Sequence, residues 1–156
     1  MKTAAEILAN KQKRLVTVPA NATIYEALEK MTSAKIGAIL VTGVGKEDQI
    51  VGIWTERDLM RNSLLEGFNP RTARIEDYMT TNLHTAQDTA TVFELKDMLL
   101  GLFIRHMIIK KGEEFVGILS VGDLVRASLH MQDQHIRDLK AQTSWHYYEN
   151  WRWDRQ

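Results

Sequence analysis

The sequence Gly-Ile-x-[Thr/Ser]-x-x-Asp-Leu-x-Arg occurs twice in the chain, at residues 52–61 and 117–126. Each copy lies where a short apolar run gives way to a helical pattern, and each places a hydroxyl three residues before a carboxylate. The residues concerned are Thr55 with Asp58 and Ser120 with Asp123. At the start of a helix such a pair can cap the free backbone N–H groups by itself.

The same residue types also suit the binding of a nucleotide. The unpaired N–H groups and the positive end of the helix dipole attract a phosphate. A hydroxyl can donate to that phosphate, and an ionised carboxylate, which only accepts hydrogen bonds, suits the two hydroxyls of a ribose. One copy leaves capping and binding both open. Two copies at equivalent places, each with a glycine that allows close backbone approach, favour a paired nucleotide cleft.

The recurrence extends well beyond this motif. Residues 23–41 align with residues 91–109 at an offset of 68, and beyond the next loop the offset falls to 65. The second loop is therefore three residues shorter than the first. A period this long, present twice, indicates a duplicated small domain rather than a solenoid array, whose units span roughly 20–50 residues.

The pattern of apolar residues and helix caps in each repeat predicts the element order β-α-β-β-α. The predicted fold class is therefore α/β (α+β). Thr-x-x-Glu opens the first helix of each repeat as a capping box, and apolar residues then recur on one helical face. The face residues are Ile24, Ala27, Met31 and Ala34, then Val92, Leu95, Leu99 and Leu102. The predicted strands span 15–18, 37–41, 50–54, 83–85, 107–109 and 115–119, and the second helices span 56–65 and 121–129. The paired strands in each repeat are short and almost continuously apolar, as expected for strands buried on both faces.

These elements divide the chain into four parts. They are an N-terminal segment (1–14), a first repeat (15–70), a second repeat (71–130) and a C-terminal helix with an aromatic tail (131–156). The tail crowds Trp145, His146, Tyr147, Tyr148, Trp151 and Trp153 beside Arg152 and Arg155. So aromatic a segment favours self-association or a protein partner. Stacking on single-stranded nucleic acid and a disordered end are the alternatives.

Composition narrows the class of protein. Lys plus Arg number 20 and Asp plus Glu number 20 among 156 residues, so the formal net charge is zero and a nucleic-acid-binding protein is disfavoured. The absence of cysteine excludes disulfides, thiolate zinc sites and cysteine nucleophiles. No run approaches the ~20 apolar residues of a membrane span, and the N-terminus lacks a signal-peptide core. We therefore expect a cytoplasmic protein with no membrane partner.

No arrangement of chemistry-bearing residues indicates catalysis or metal binding. His130 and His135 are five residues apart, off the i, i+4 spacing of a helical metal pair. No Ser-His-Asp order and no paired carboxylates stand out. We predict neither an enzyme nor a metal site, and no required cofactor.

The duplicated motifs resemble those of a tandem CBS-domain protein, a Bateman module, over about residues 5–130. The resemblance is carried by GIWTERD (52–58) and GILSVGD (117–123), with IGAILV (36–41), IRHMII (104–109) and YMT (78–80). ILxxK at residues 7–11 together with TERDL at residues 55–59 is similar to the small stand-alone members of the family. The resemblance implies two repeats packed about a pseudo-twofold axis. It also implies two clefts able to hold AMP, ADP, ATP, NAD(H) or S-adenosylmethionine.

The resemblance further implies which residues contact such a ligand. Asp58 and Asp123 would bind ribose hydroxyls. Thr55 and Ser120 would contact ribose or phosphate. The other residues expected to contact the ligand, mostly around the adenine, are Val16, Thr17, Val18, Ile36, Gly37, Ala38, Ile53, Thr80, Leu83, Thr85, Ile104, Met107 and Ile118. The cations available for phosphate are Arg57, Arg105, His106 and Lys11, and an arginine fork suits phosphate especially well.

The two copies differ at their cationic positions. Arg57 in the first copy is matched by Gly122, whereas the pair at 105–106 in the second copy is matched by Gly37 and Ala38. We therefore expect the two clefts to differ in phosphate preference, and one of them can be empty. Which cleft the second-copy cations serve stays open.

The resemblance predicts a regulatory module that binds an adenine nucleotide and signals its occupancy to an unknown effector protein. AMP is the first candidate ligand, with NAD(H) or ATP next, and a homodimer is expected. The alternative is a structural homodimerisation module without a ligand, in which the repeated motif only caps two helices.

Overall fold

The computed structural model describes residues 1–11 and 15–151, with side chains described as far as residue 141. The aromatic cluster of the tail, between Trp145 and Trp153, lies outside these described side chains, so its role stays a prediction.

The predicted element order is confirmed in both repeats. In the first part of the chain the elements are α1 (Ala4–Ala9), β1 (Thr17–Pro19), α2 (Ile24–Ala34), β2 (Ala38–Gly43), β3 (Lys46–Thr55) and α3 (Glu56–Asn62). A 3-10 turn at Ile75–Asp77 follows, and then come β4 (Thr85–Gln87), α4 (Val92–Gly101), β5 (His106–Lys111), β6 (Glu114–Ser120) and α5 (Val121–Trp151).

Each repeat forms its own three-stranded sheet, ordered β1-β2-β3 in the first repeat and β4-β5-β6 in the second. The first two strands of each sheet are parallel, because a helix connects them, and the tight loop after the middle strand makes the last pair antiparallel. Ala38 lies opposite Thr55, and His106 lies opposite Ser120. The register therefore sets the start of each middle strand beside the hydroxyl residue of the motif.

The capping boxes predicted at the first helix of each repeat are present. Thr23 donates its backbone N–H to Glu26 at 2.7 Å, and Thr91 donates to Glu94 at 2.8 Å. Six of the eight predicted face residues are buried, whereas Ala34 is half-buried and Leu102 is 42% exposed. Leu102 is not buried because α4 ends one residue earlier, at Gly101, and the backbone then adopts a left-handed conformation at Phe103.

Burial of the strands differs from expectation at the sheet edges. The middle strands β2 and β5 are buried over 38–42 and 107–109, as expected. In β3 and β6, Trp54 and Leu119 are fully buried while their neighbours are half-exposed. Edge strands of a three-stranded sheet with one packed face alternate in this way.

Each repeat has its own hydrophobic core, and each core includes a short segment that lies next to the other repeat in the sequence. Ala4 and Ile7 of α1 pack into the core of the second repeat, and Ile75 of the 3-10 turn packs into the core of the first. Matching backbone bonds hold both segments, from Ala4 N to Ala90 O and from Ile75 N to Ala22 O, each 2.8 Å. The core of each repeat is thus completed by residues that lie before the first strand of the other repeat.

Two further differences concern the ends of elements. The first strands of the repeats begin at Thr17 and Thr85, two residues later than predicted. Residues 131–142, predicted as a separate helical segment, continue α5 without a break.

Candidate functional site

Both copies of the repeated motif sit at the junction of a strand and a helix, β3 with α3 and β6 with α5. Asp58 Oδ2 accepts the backbone N–H and the hydroxyl of Thr55 at 2.9 and 3.0 Å, and the Asp58 N–H donates to Thr55 Oγ1 at 3.3 Å. Ser120 and Asp123 repeat the arrangement at 2.8, 2.9 and 3.2 Å. The capping role is therefore confirmed, and it uses one carboxylate oxygen of each aspartate.

A cleft of about 750 Å³ opens in front of Asp58, a size typical of small-molecule sites. We call it the Asp58 cleft. The first repeat contributes Leu28, Met31, Thr32, Lys35, Ile36, Gly37, Ile53, Thr55, Glu56, Arg57, Asp58, Leu59 and Arg61. Later residues contribute Thr80, Asn82, His84, Phe103, Ile104, Arg105, His106, Ile108, Ser120, Val121 and Gly122. The cleft therefore lies between the repeats, and the second-copy cations face the first-copy aspartate.

Three arginines line the cleft together with this aspartate. Asp58 Oδ1 lies 3.6 Å from Arg61 Nη1, on a side chain that is 67% exposed. Arg57 Nη1 donates to the Phe103 carbonyl oxygen at 3.2 Å. With Arg105 from the second repeat, the cleft combines two carboxylates, those of Asp58 and Glu56, with three arginines, a set that suits a ligand carrying both a sugar and a phosphate.

His106 does not act as a cation at neutral pH. Burial, then the charges of Arg105 and Lys11, lower the pKa of His106 from 6.5 to about 4, against a weaker opposing effect of Asp123. The imidazole is therefore neutral at pH 7, and it can offer a phosphate an N–H donor but no charge. The expectation of a charged His106 is corrected accordingly.

A second cleft, of about 630 Å³, opens in front of Asp123, and we call it the Asp123 cleft. Its lining residues are Lys2, Ile7, Leu8, Asn10, Lys11, Leu15, Val16, Lys35, Ile36, Gly37, Ala38, His106, Val116, Gly117, Ile118, Ser120, Asp123, Arg126, Ala127 and His130. Lys11 Nζ lies 2.9 Å from Asp123 Oδ2, and both side chains are about four-fifths buried. Burial raises the pKa of Asp123, but the hydrogen bonds from Lys11 and Ser120 outweigh it and lower the pKa below 3.8.

The two clefts divide the predicted ligand-binding residues between them. The Asp58 cleft brings together Ile36, Gly37, Ile53, Thr55, Arg57, Asp58, Thr80, Ile104, Arg105, His106 and Ser120. The Asp123 cleft brings together Lys11, Val16, Ile36, Gly37, Ala38, His106, Ile118, Ser120 and Asp123.

Five predicted residues line neither cleft, namely Thr17, Val18, Leu83, Thr85 and Met107. Val18 and Met107 are 1% and 0% exposed, because their side chains point into the cores of the two repeats. Thr17 of β1 pairs with Leu40 of β2, and Thr85 of β4 pairs with Ile108 of β5. The Thr17 carbonyl oxygen also accepts from Lys30 Nζ at 2.9 Å. The expected contacts of these five residues with adenine therefore stay predictions, and the buried side chains of Val18 and Met107 leave only their backbone atoms for such a contact.

Sequence reasoning missed several residues of the Asp58 cleft. Arg61 closes the repeated motif and lies one helical turn after Asp58, so the motif itself could have indicated it. Phe103 aligns with Lys35 at the repeat offset of 68, and both adopt a left-handed φ of 53°. No periodicity marks Phe103, because it is 85% exposed and follows the end of α4.

Two kinds of feature are absent from the described part of the chain. Within it, no helix combines the length and the apolar character needed to cross a membrane. Nor does it contain three or more His, Asp or Glu side chains placed to share a metal ion.

Comparison with known proteins identifies the family. The CBS domain matches twice, at residues 4–64 and 75–130. The mitochondrial CBS domain-containing protein CBSX3 of Arabidopsis thaliana is 31% identical over 121 residues, which cover 76% of this chain and 59% of that protein. The chain thus matches little more than half the length of this relative.

Solved structures agree. A putative signal-transduction protein with CBS domains from Burkholderia ambifaria is 30% identical, with a TM-score of 0.76 over 83% of this chain and 95% of that one. A CBS domain protein from Pyrobaculum aerophilum complexed with AMP shares the fold, with a TM-score of 0.69 over 78% of this chain and 89% of that one, at 22% identity. The chain belongs to the CBS-domain family, and its fold is that of a tandem pair of CBS repeats, as the sequence predicted.

Proposed function

We propose that the chain is a regulatory module that binds an adenine nucleotide in the Asp58 cleft. The observation that carries the proposal is the position of Asp58 between two repeats. Its cap uses Oδ2, while Oδ1 lies beside the exposed Arg61 guanidinium, and Arg57 and Arg105 reach the same cleft from different repeats.

Each part of a nucleotide has a matching group in this cleft. The Asp58 carboxylate accepts from the ribose hydroxyls, at the place where the exposed Arg61 can swing aside. Arg57 and Arg105 bind phosphate as charged donors, and neutral His106 adds an N–H. Ile36, Ile53 and Ile104 of the same cleft supply apolar contacts for the base. Among adenine nucleotides AMP is the first candidate, supported by the AMP complex of the Pyrobaculum relative, with NAD(H) and ATP next.

Regulation follows from the location of the ligand between the repeats. A nucleotide that contacts both repeats stabilises the arrangement in which Asp58 and Arg105 face the same ligand. It therefore shifts the population toward that arrangement, provided its affinity for the alternative is lower. We infer an effector protein that recognises this arrangement. This role involves binding and no catalysis.

The test is calorimetric titration with AMP, ADP, ATP, NAD, NADH and S-adenosylmethionine, using the wild-type chain and Asp58→Asn. The amide keeps an oxygen that can accept from Thr55 but loses the charge and one acceptor. We expect the variant to lose at least about tenfold in AMP affinity, or about 1.4 kcal/mol. Its free energy of unfolding should change much less.

Glu26→Gln is the matched control, because Glu26 closes an equivalent capping box with Thr23 at the start of α2, outside both clefts. It should leave AMP affinity unchanged. Wild-type affinity in Asp58→Asn, or no binding of any of the six compounds to the wild-type chain, would contradict the proposal.

A second candidate function is homodimerisation without a ligand. It is favoured by apolar side chains on α5 that the fold leaves uncovered: Val121, Val125 and Leu129 are 40%, 48% and 56% exposed and recur every four residues. That spacing puts them along one side of the helix, a pattern expected of a surface that packs on a second copy. The two functions are compatible, and the expected homodimer stays a proposal.

Sedimentation of Leu129→Glu against His135→Glu tests this second candidate, because both place a new charge on an exposed position of α5. If Leu129→Glu dissociates the dimer and His135→Glu does not, the exposed face of α5 is the dimer interface. A wild-type chain that sediments as a monomer would contradict the homodimer. The cytoplasmic location expected from the sequence stays a prediction.

A further inference from the structure

Among the differences between the two clefts, one concerns a pair of residues that occupy equivalent positions in the duplicated chain, Lys11 and Asn82. Leu8 packs against Gly117 as Met79 packs against Gly52, so residues of the N-terminal segment match residues of the second segment at an offset of 71. The backbone hydrogen bonds of Ala4 to Ala90 and of Ile75 to Ala22 are equivalent at the same offset, since positions 4 and 75 are also 71 residues apart. Lys11 in the Asp123 cleft therefore corresponds to Asn82 in the Asp58 cleft.

Lys11 is bound directly to the motif aspartate. Its ammonium donates to Asp123 Oδ2 at 2.9 Å and to the Ile118 carbonyl oxygen at 2.8 Å. In the first repeat the matching carbonyl oxygen, of Ile53, accepts instead from the Thr80 backbone N–H at 2.8 Å. Lys11 thus joins the N-terminal segment to both the last strand of the second repeat and the start of α5.

This bond changes what Asp123 can accept. Asp123 Oδ2 already receives the backbone N–H and the hydroxyl of Ser120, and Lys11 adds a third, charged donor. A ribose presents two adjacent hydroxyls, so a carboxylate that binds both uses an acceptor site on each oxygen. In the Asp58 cleft, by contrast, Oδ2 carries only the two Thr55 donors among the described residues.

We propose that Lys11 closes the Asp123 cleft to nucleosides, so that each chain binds a single nucleotide, in the Asp58 cleft. To bind there, a ribose must displace an ammonium from a largely buried ion pair, and a buried charge that loses its partner is costly. Arg61 near Asp58 is no such obstacle, because it lies 3.6 Å away and is mostly in solvent. Lys11 is therefore a specificity-determining residue and does not serve as a phosphate ligand.

The proposal rests on the proposed function, and the number of AMP molecules bound per chain tests it. Titration calorimetry of the whole chain should give one site for wild type and two for Lys11→Met, which keeps the length of the side chain and removes its charge. Lys2→Met is the matched control, because Lys2 lines the same cleft and its replacement should leave one site. Adding Asp123→Asn to Lys11→Met should return the count to one.

Variants that retain Lys11 guard against misfolding of Lys11→Met. With Lys11 present, Asp123→Asn should leave AMP affinity unchanged, whereas Asp58→Asn should weaken AMP binding at the single site by at least about tenfold. Two sites in the wild-type chain, or one site in a folded Lys11→Met chain, would overturn the proposal. So would weaker AMP binding in Lys11→Met, which would make Lys11 a ligand for the phosphate.

The failure of the proposed function gives a different result. If the wild-type chain binds no AMP while Lys11→Met binds one, the Asp58 site is wrong and the closure by Lys11 stands. If neither binds AMP, both proposals are wrong.

Discussion

Arg57 Nη1 donates to the Phe103 carbonyl oxygen at 3.2 Å, and this hydrogen bond joins α3 of the first repeat to the end of α4 in the second. The backbone of Phe103 adopts a left-handed conformation, with φ of 53°. Such a conformation costs a non-glycine residue roughly 1 kcal/mol. The Asp58 cleft therefore has one wall held by a backbone turn that the amino acid itself disfavours.

Replacing Phe103 with glycine should stabilise the chain. Glycine adopts positive φ without steric cost and is the preferred residue after a helix end. We expect Phe103→Gly to raise the free energy of unfolding by about 1 kcal/mol in urea denaturation, since the side chain is 85% exposed and contributes little burial. Phe103→Ala is the control, which should bring no such gain. Equal stability of the two variants would show that the turn is unstrained.

Replacing Gly52 with alanine should have the opposite effect. A Cβ at this position would lie 2.8 Å from Met79 Cγ and still closer to the Met79 sulfur. The Met79 side chain, which packs against β3 from the segment before β4, would therefore have to move. Overpacking of this kind costs about 1–3 kcal/mol, measurable as a lower urea midpoint.

Gly101 provides the matched control for this change. A Cβ there meets nothing within 4 Å, and the residue is the last of α4. Gly101→Ala should therefore be neutral or stabilising by up to about 1 kcal/mol. A Gly52→Ala chain as stable as wild type would mean that Met79 moves aside freely.

The stability of the chain should fall as the pH falls below 6.5, because of His106. Its pKa in the folded chain is about 4, so between these values the unfolded chain binds a proton that the folded chain does not. The free energy of unfolding is then highest above pH 6.5 and decreases toward pH 4. Urea denaturation at pH 7, 6 and 5 should show this slope in the wild-type chain and a flatter one in His106→Asn. His135→Asn, on an exposed position of α5, should keep the slope; an unchanged slope in His106→Asn would contradict the assignment.

The carboxyl of Asp123 should titrate differently once Lys11 is removed. In the wild-type chain its pKa lies below 3.8, so its contribution to stability is present above that value and is lost as the pH falls through the folded pKa. Without Lys11 the raising effect of burial has less to oppose it, and the pKa of Asp123 should increase. Carbon-detected NMR titration of the carboxyl group in Lys11→Met measures this. A pKa of Asp123 that is no higher than in the wild-type chain would show that the Ser120 hydrogen bonds alone lower it.

Local chemistry determined much of this protein from its sequence. The capping boxes at Thr23 and Thr91 and the strand-to-helix position of the two motifs depend on residues within a few positions of one another. The duplication follows from comparing the chain with itself, at offsets of 68 and 65 residues. Hydrogen bonds between residues three apart and apolar spacing along one helix are readable without the fold. That is why Thr55 with Asp58 and Ser120 with Asp123 could be singled out as pairs.

Only the tertiary structure decided how these pairs differ. Lys11 and Asp123 are 112 residues apart, and Arg57 and Phe103 are 46 apart, so no local pattern indicates either contact. The exchange of α1 and the 3-10 turn between the two cores is what brings Lys11 to the second repeat, while its counterpart Asn82 arrives at the first. Burial of apolar side chains stabilises this arrangement, and it depends on the area buried and not on how close the residues are in the sequence. The sequence therefore predicts two related clefts with different phosphate preferences, whereas packing decides that the carboxylate of one cleft is paired with the chain's own Lys11.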